Sequence, residues 1–238
     1  MCLSLRRIGV DFDGAFASEV LVPARNVVPV ETTDDLAAVA VLTDAVATPY
    51  HALVRVAKVS PGSLVVVFGI GGIGSNAVQI AAHLGCEVIA VSRSEEKLAL
   101  ARKLGAATTV VSDDNVVEAL RAVTGPKGPD VVVQTVGSAL VDQQAFESVG
   151  VGGKLVLIGA SVDSFSLRAT DLIWKESTIH GSRGFVPDDI IEVLDVHRAG
   201  KIRSDHLTSA KRPLAEANDA LDDLRRGHVL RTILLPNG

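Results

Sequence analysis

The chain is poor in aromatic residues, with one Trp, one Tyr and six Phe among 238 residues. Its core must therefore be built from Val, Leu, Ile and Ala. That composition suits a parallel sheet whose strands are buried on both faces by helices. Only two cysteines are present, Cys2 and Cys86, which excludes a disulfide framework and predicts a reducing, cytoplasmic setting. There is no basic run or arginine-rich face, and the formal net charge is −5, so nucleic acid is not an expected partner. No apolar run approaches the length needed to cross a bilayer, so no membrane is expected either. The stretch Met1 to Val10 has two arginines but no long apolar segment, which predicts no signal peptide. Internal repeats, low-complexity tracts and charge blocks are missing too.

What is present is a large apolar fraction, 47%, beside 21% charged residues, enough for a sizeable core. The length allows one large domain, or one full domain with pieces of another. The middle of the chain alternates short Val/Ile runs with helical patterns. Strands are predicted at Leu64–Gly69, Glu87–Val91, Thr108–Val111, Val131–Val136 and Leu155–Ile158, with a short sixth at Thr178–Gly181. Helices are predicted at Ser75–Leu84, from Ser94 to Leu104, at Asn115–Val123 and at Ala139–Val149. Ser94 reads as an N-cap, and Gly85 and Gly105 read as helix ends. Such alternation implies right-handed βαβ crossovers: an α/β fold with a doubly wound parallel sheet of about six strands.

The two ends differ from the middle. Ala17–Val22 and Asn26–Val30 look strand-like, and an Ala-rich helical stretch runs from Thr33 through Asp44 towards Val56. Helices are predicted around Asp188–Ala199 and Leu214–Arg226, then a strand at Thr232–Leu235. These ends read as parts of a second lobe.

The segment Gly69-Ile70-Gly71-Gly72-Ile73-Gly74 satisfies GxGxxG between a predicted strand and a predicted helix. In a dinucleotide-binding loop Gly69 would allow the tight turn, Gly71 the approach of a pyrophosphate, and Gly74 the close packing of the helix. The helix N-terminus would attract the phosphates. A nicotinamide dinucleotide is the expected ligand, and the alternative is a bare strand–helix turn. At the end of the second strand, Val91-Ser92-Arg93-Ser94 has Ser92 where an NAD-preferring domain usually has an acid. Ser92, Arg93 and Lys97 predict NADP(H) over NAD(H), because an acid would repel a 2′-phosphate that a guanidinium holds. The alternative is that Arg93 and Lys97 are solvated surface charges.

Taken together, the residues resemble the zinc-type alcohol dehydrogenases of the medium-chain dehydrogenase/reductase group. The resemblance rests on Asp13-Gly14-Ala15-Phe16-Ala17, on Asp44-Ala45-Val46-Ala47-Thr48-Pro49-Tyr50-His51-Ala52 and on Phe68–Gly74. It continues through Glu96-Lys97-Leu98 and Lys103-Leu104-Gly105-Ala106 to Gly227-His228-Val229-Leu230-Arg231-Thr232. It implies a Rossmann domain at about residues 45–184, flanked by parts of a GroES-like catalytic domain at 1–44 and 185–238. It also implies a cofactor lying between the domains, with Thr48 near the nicotinamide. Thr135, Val136, Gly137, Ile158 and Ala160 would line the cleft, beside the loop residues Gly69, Gly71, Gly72, Ile73 and Gly74, and Arg231 would approach the pyrophosphate.

The departures from the family matter equally. Its catalytic zinc is held by a Cys, a His and a third residue, to which Asp44 corresponds, and the first two ligands would lie upstream of Gly14. One carboxylate does not hold a zinc. His51, His83, His180, His197, His206 and His228 show no ligand-like spacing and read as ordinary polar or capping residues. The four-cysteine structural zinc lobe is absent, and Cys2 resembles its last cysteine, as if the chain lacked most of the N-terminal catalytic domain.

The expected activity is hydride transfer between a nicotinamide and a small alcohol or carbonyl substrate. This chain alone is expected to bind cofactor and to be weakly active or inactive, with its main catalytic residues missing. A zinc-free quinone- or enoyl-type reductase and a non-catalytic cofactor-binding module are the alternatives. Exposed apolar surface and the edge strand at Thr178–Gly181 predict a homodimer.

Overall fold

The computed structural model describes residue 4, residues 6–31 and residues 33–236. The expectation for Cys2 falls outside these. In chain order the elements are α1 (Leu36–Val41), a π-helical turn Leu42–Val46, α2 (Ala47–Tyr50), a second π-helical stretch His51–Ala57, β1 (Leu64–Phe68) and α3 (Gly74–His83). Then follow β2 (Glu87–Ser92), α4 (Glu95–Lys103), β3 (Thr108–Val111), α5 (Val116–Thr124), β4 (Val131–Gln134) and α6 (Ala139–Ser148). The series ends with β5 (Lys154–Leu157), α7 (Ala169–Lys175), β6 (Thr178–Gly181), α8 (Pro187–Arg198), β7 (Thr208–Pro213), α9 (Ala217–Arg225) and β8 (Arg231–Leu235).

The chain divides into two compact units, Leu42–Ile202 and Met1–Val41 with Arg203–Gly238. The larger is a six-stranded, wholly parallel sheet in the order β3-β2-β1-β4-β5-β6. Val66 pairs with Ile89 on one side and Val132 on the other, so the central strands are Val-rich and buried on both faces. One face forms the main core: Val66, Phe68, Ile89, Val91 and Val132 pack with Val116, Leu120 and Phe146 of α5 and α6. Helix ends follow their local chemistry. Ser94 Oγ accepts from the Lys97 N–H, and Gly85 (φ 79°) and Gly105 (φ 106°) take the left-handed conformation just past α3 and α4. The strand order reverses at β1 and β4, where an open α/β sheet offers a crevice beyond its carboxyl ends. Helix α8 packs on α2 and on the Leu42–Val46 turn, so it belongs to this unit although it lies beyond residue 184.

The smaller unit holds a two-stranded parallel sheet, β7 with β8, on which α1 and α9 pack. Here the structure corrects several expectations. Ala17–Val22 and Asn26–Val30 form no strands; Ala24–Asn26 is a single 3₁₀ turn. An extended segment becomes a strand only with a ladder partner, and among the described residues these segments have none. Strand β7 was not expected, because Thr208–Pro213 has no apolar run; its pairing with β8 defines it. The predicted strand Val131–Val136 stops at Gln134 because the Gln134 side chain itself accepts from the Val136 N–H at 3.0 Å. The expectation that no apolar run approaches bilayer length also needs correction. The helical stretch Leu36–Ala57 is long and apolar enough by length and composition. Yet 61% of its apolar window is buried inside the protein, as in a core helix.

Candidate functional site

Strand β1 ends at Phe68, and the chain turns at Gly69 with φ 88°. A Cβ on Gly74 would stand 1.7 Å from the Gly69 carbonyl oxygen, so the first turn of α3 rests directly on the loop. Thr135, just past β4, clamps the same point: its Oγ1 donates to the carbonyls of Phe68 and Gly69, both at 3.0 Å. Gly71 differs from both of its companions. A Cβ there would meet nothing within 4 Å, so the loop's outer edge faces open space beside a helix N-terminus. The room left there is what a pyrophosphate needs, and the loop fits a dinucleotide.

A cleft of about 780 Å³ opens at this end of the sheet. It brings together Gly69, Gly71, Ser92, Arg93, Lys97, Thr135 and Val136, seven of the residues expected to meet the cofactor. Gly72, Ile73 and Gly74 continue the loop out of it. Ser92 is buried at the end of β2, and its Oγ accepts from the Ser94 N–H at 3.3 Å. Arg93 and Lys97 are exposed, and among the described residues neither side chain has an ion-pair partner. Asp113 and Asp114 line the cleft past β3, where the Asp113 carboxylate accepts from the Asn115 N–H at 2.9 Å.

The loop after β4 is held from below. Gln134 is fully buried; its side-chain Nε2 donates to Asp142 Oδ1 of α6, and its side-chain Oε1 accepts from the N–H groups of Val136 and Gly137. Burial pushes the Asp142 carboxyl above its ordinary range, against the bond from Gln134. Gly137 meets the next loop at Ala160, whose carbonyl oxygen would lie 2.6 Å from a Cβ on Gly137. The Ile158 N–H donates to the Gln134 carbonyl at 2.9 Å. Thr135, Val136, Gly137, Ile158 and Ala160 thus form two adjoining loops.

Thr48 is buried in α2, and its hydroxyl donates to Asp44 Oδ1 at 3.3 Å. Asp44 itself is exposed on the π-helical turn, an irregularity often found where helices carry function. Among the described residues no three His, Cys, Asp or Glu side chains converge to hold a metal ion. The described side chains do not by themselves fit a zinc ion. Arg231 lies on β8 of the smaller unit, where its guanidinium donates to the Leu230 carbonyl at 2.9 Å.

A network that the sequence did not reveal anchors this helical stretch. His51 Nδ1 lies 2.7 Å from Asp189 Oδ2, and Arg55 Nε donates to Asp189 Oδ1 at 3.0 Å. A second Arg55 nitrogen donates to Glu192 at 2.6 Å, and the Tyr50 hydroxyl donates to the same carboxylate at 2.8 Å. Burial alone would raise the Asp189 carboxyl; the Val186 N–H, His51 and Arg55 outweigh it and hold it below the usual range. Arg55 and Tyr50 hold Glu192 low in the same way. Burial, then Glu192, pushes the Tyr50 phenol up to about 12. Tyr50, His51 and Arg55 lie at helical spacing opposite an i, i+3 acid pair on α8, but nothing in the sequence says that the two helices meet.

Comparison with known proteins agrees with this architecture. A family model described as zinc-binding dehydrogenase matches residues 72–198. An alcohol dehydrogenase from Moraxella sp. (strain TAE123) is 33% identical over 236 residues, covering 99% of this chain and 68% of that protein. The crystal structure of the alcohol dehydrogenase from Aeropyrum pernix superposes with a TM-score of 0.89 at 30% identity, covering 99% of this chain and 69% of that one. A protein described as a zinc-binding dehydrogenase from Sinorhizobium meliloti 1021, solved bound to NADP, gives a TM-score of 0.90 at 30% identity over 99% of this chain and 70% of that one. The chain belongs to the zinc-binding dehydrogenase family and is an oxidoreductase of the alcohol dehydrogenase type.

Proposed function

We propose that this chain binds NADP(H) in preference to NAD(H), in the cleft beyond β1 and β4, and that it is weakly active or inactive on its own. The observation that carries the first part is the end of β2. Ser92 stands where a 2′-OH-binding acid is usual, and Arg93 and Lys97 are exposed cations in the same cleft. A 2′-phosphate placed there gains charge-assisted hydrogen bonds. The bound NADP of the Sinorhizobium protein supports the reading by analogy.

Residues Gly69, Gly71, Gly72, Ile73 and Gly74 would hold the pyrophosphate through backbone N–H groups and the α3 N-terminus. Thr135, Val136, Gly137, Ile158 and Ala160 would pack along the nicotinamide half. Thr48 would orient the nicotinamide. The bound cofactor would supply or accept the hydride for a small alcohol or carbonyl substrate; the protein supplies position and electrostatics. Asp44 is the single candidate metal ligand, and the described residues assemble no set around it. By the same reading the Rossmann domain, expected at about residues 45–184, takes in α8 as well, and the smaller unit derives from a GroES-like catalytic domain. A cytoplasmic homodimer paired through the β6 edge completes the proposal.

The activity part is tested by following nicotinamide absorbance with a panel of primary and secondary alcohols, with and without added zinc. Cofactor binding without turnover is expected. Rapid, zinc-dependent turnover by this 238-residue chain would refute it.

A further inference from the structure

Helix α2 contains Pro49, which has no N–H, so the Ala45 carbonyl lacks its α-helical partner. The Asn76 side chain replaces it. Asn76 is fully buried in the first turn of α3, and its Nδ2 donates to the Ala45 carbonyl at 2.9 Å. The same nitrogen donates to the Gly72 carbonyl of the glycine loop at 2.7 Å, and Asn76 Oδ1 accepts from Gln79 Nε2 at 2.5 Å. Two carbonyl acceptors on one side and a donor on the other fix which way the amide points. Aspartate, leucine and alanine cannot reproduce that arrangement.

One amide therefore joins the loop that faces the open phosphate position to the helical stretch that carries Asp44 and Thr48. We infer that Asn76 is a positioning residue, which sets the Thr48 helix in register with the glycine loop so that the two halves of a bound dinucleotide are held in one geometry. The inference rests on the cofactor-binding reading above. Its physical content is that docking a pyrophosphate on Gly71 and Gly72 fixes the Gly72 carbonyl, and through Asn76 fixes Ala45, three residues before Thr48. Removing the amide uncouples the nicotinamide end while leaving the phosphate end intact.

The test uses the whole chain and three ligands: NADPH, NADH and ADP-ribose, the last having the pyrophosphate but no nicotinamide. In Asn76→Ala, the dinucleotide preferred by the unsubstituted chain should bind about five- to tenfold more weakly, while ADP-ribose stays within about twofold. The fluorescence of bound NADPH should fall towards that of free NADPH. Pro49→Ala supplies the missing N–H to the Ala45 carbonyl. Added to Asn76→Ala, it should recover the melting temperature but not the lost dinucleotide affinity. If Asn76→Ala does not fold, Asn76→Ser carries the same comparison. Equal weakening of ADP-ribose and dinucleotide, unchanged binding of both, or recovery of affinity by Pro49→Ala would make Asn76 a structural residue only and overturn the inference. Failure of the unsubstituted chain to bind any of the three would instead overturn the cofactor reading on which the inference stands.

Discussion

A Cβ on Gly74 would stand 1.7 Å from the carbonyl oxygen of Gly69, whereas a Cβ on Gly71, two positions past Gly69, would meet nothing within 4 Å. The three glycines of one motif therefore have different physical duties, and substitution separates them. Gly74→Ala overpacks the turn and should cost about 1–3 kcal/mol of stability. Gly71→Ala should change stability by less than about 1 kcal/mol, because its Cβ has room and its backbone needs no left-handed conformation. Yet it should weaken dinucleotide binding at least about tenfold, since the methyl occupies the space left for the phosphates. Thermal melts paired with cofactor titration check both. Normal cofactor binding by Gly71→Ala would remove the pyrophosphate from that position.

The network around Asp189 makes stability depend on pH at both ends of the scale. Asp189 is held low by the Val186 N–H, His51 and Arg55 against the upward pull of its burial. A carboxylate depressed on folding stabilises above its unfolded value, and the gain is lost as pH falls through the lower folded value. Asp189→Asn should cost about 1–3 kcal/mol near neutral pH, because the buried position loses its charge-assisted bonds while Arg55 keeps Glu192. The difference from the parent should narrow below the usual carboxylate range. Tyr50 is shifted upward, to about 12, by burial and then by Glu192. A group raised on folding stabilises below its unfolded value of about 10 and loses that contribution as pH climbs through the folded one. The stability gap between the parent chain and Tyr50→Phe should accordingly shrink at strongly alkaline pH. Chemical denaturation across the pH range measures both, and a pH-independent gap for Asp189→Asn would contradict the account.

Trp174 is the only tryptophan in the sequence and is 82% exposed on α7, two residues from the start of the helix–strand connection into the edge strand β6. Ile173 beside it is 68% exposed. Among the described residues strand β6 pairs on one side only, with β5. Dimerisation through that edge should shift the Trp174 emission to the blue as concentration rises, and Trp174→Lys should move sedimentation towards the monomer. A concentration-independent spectrum with a monomeric sedimentation coefficient would rule out this interface.

The larger unit was legible in the sequence because its signals are local. Val-rich runs such as Leu64–Phe68 are short and continuous, Ser94 caps a helix with acids in its first turn, and Gly85 and Gly105 end helices by their own backbone preference. The glycine loop and the end of β2 were readable for the same reason, since spacing along the chain determines what the turn can face. The rest depended on contacts between distant segments. Thr208–Pro213 is a strand through its pairing with β8, and Ala17–Val22 is not a strand for want of such a partner. Tyr50, His51 and Arg55 meet Asp189 and Glu192 across more than 130 residues of chain, so helical spacing alone did not expose the network. The Asn76 bridge was hidden likewise, because a proline and the amide that compensates for it lie on different helices.

The most direct test of the central claim is a titration of the purified chain with NADPH and with NADH, followed by nicotinamide fluorescence, beside Ser92→Asp. The account predicts that NADPH binds at least about tenfold more tightly, as expected for charge-assisted bonds to a 2′-phosphate, and that Ser92→Asp reverses the order. Equal affinity for the two, or tighter binding of NADH by the parent chain, would contradict it.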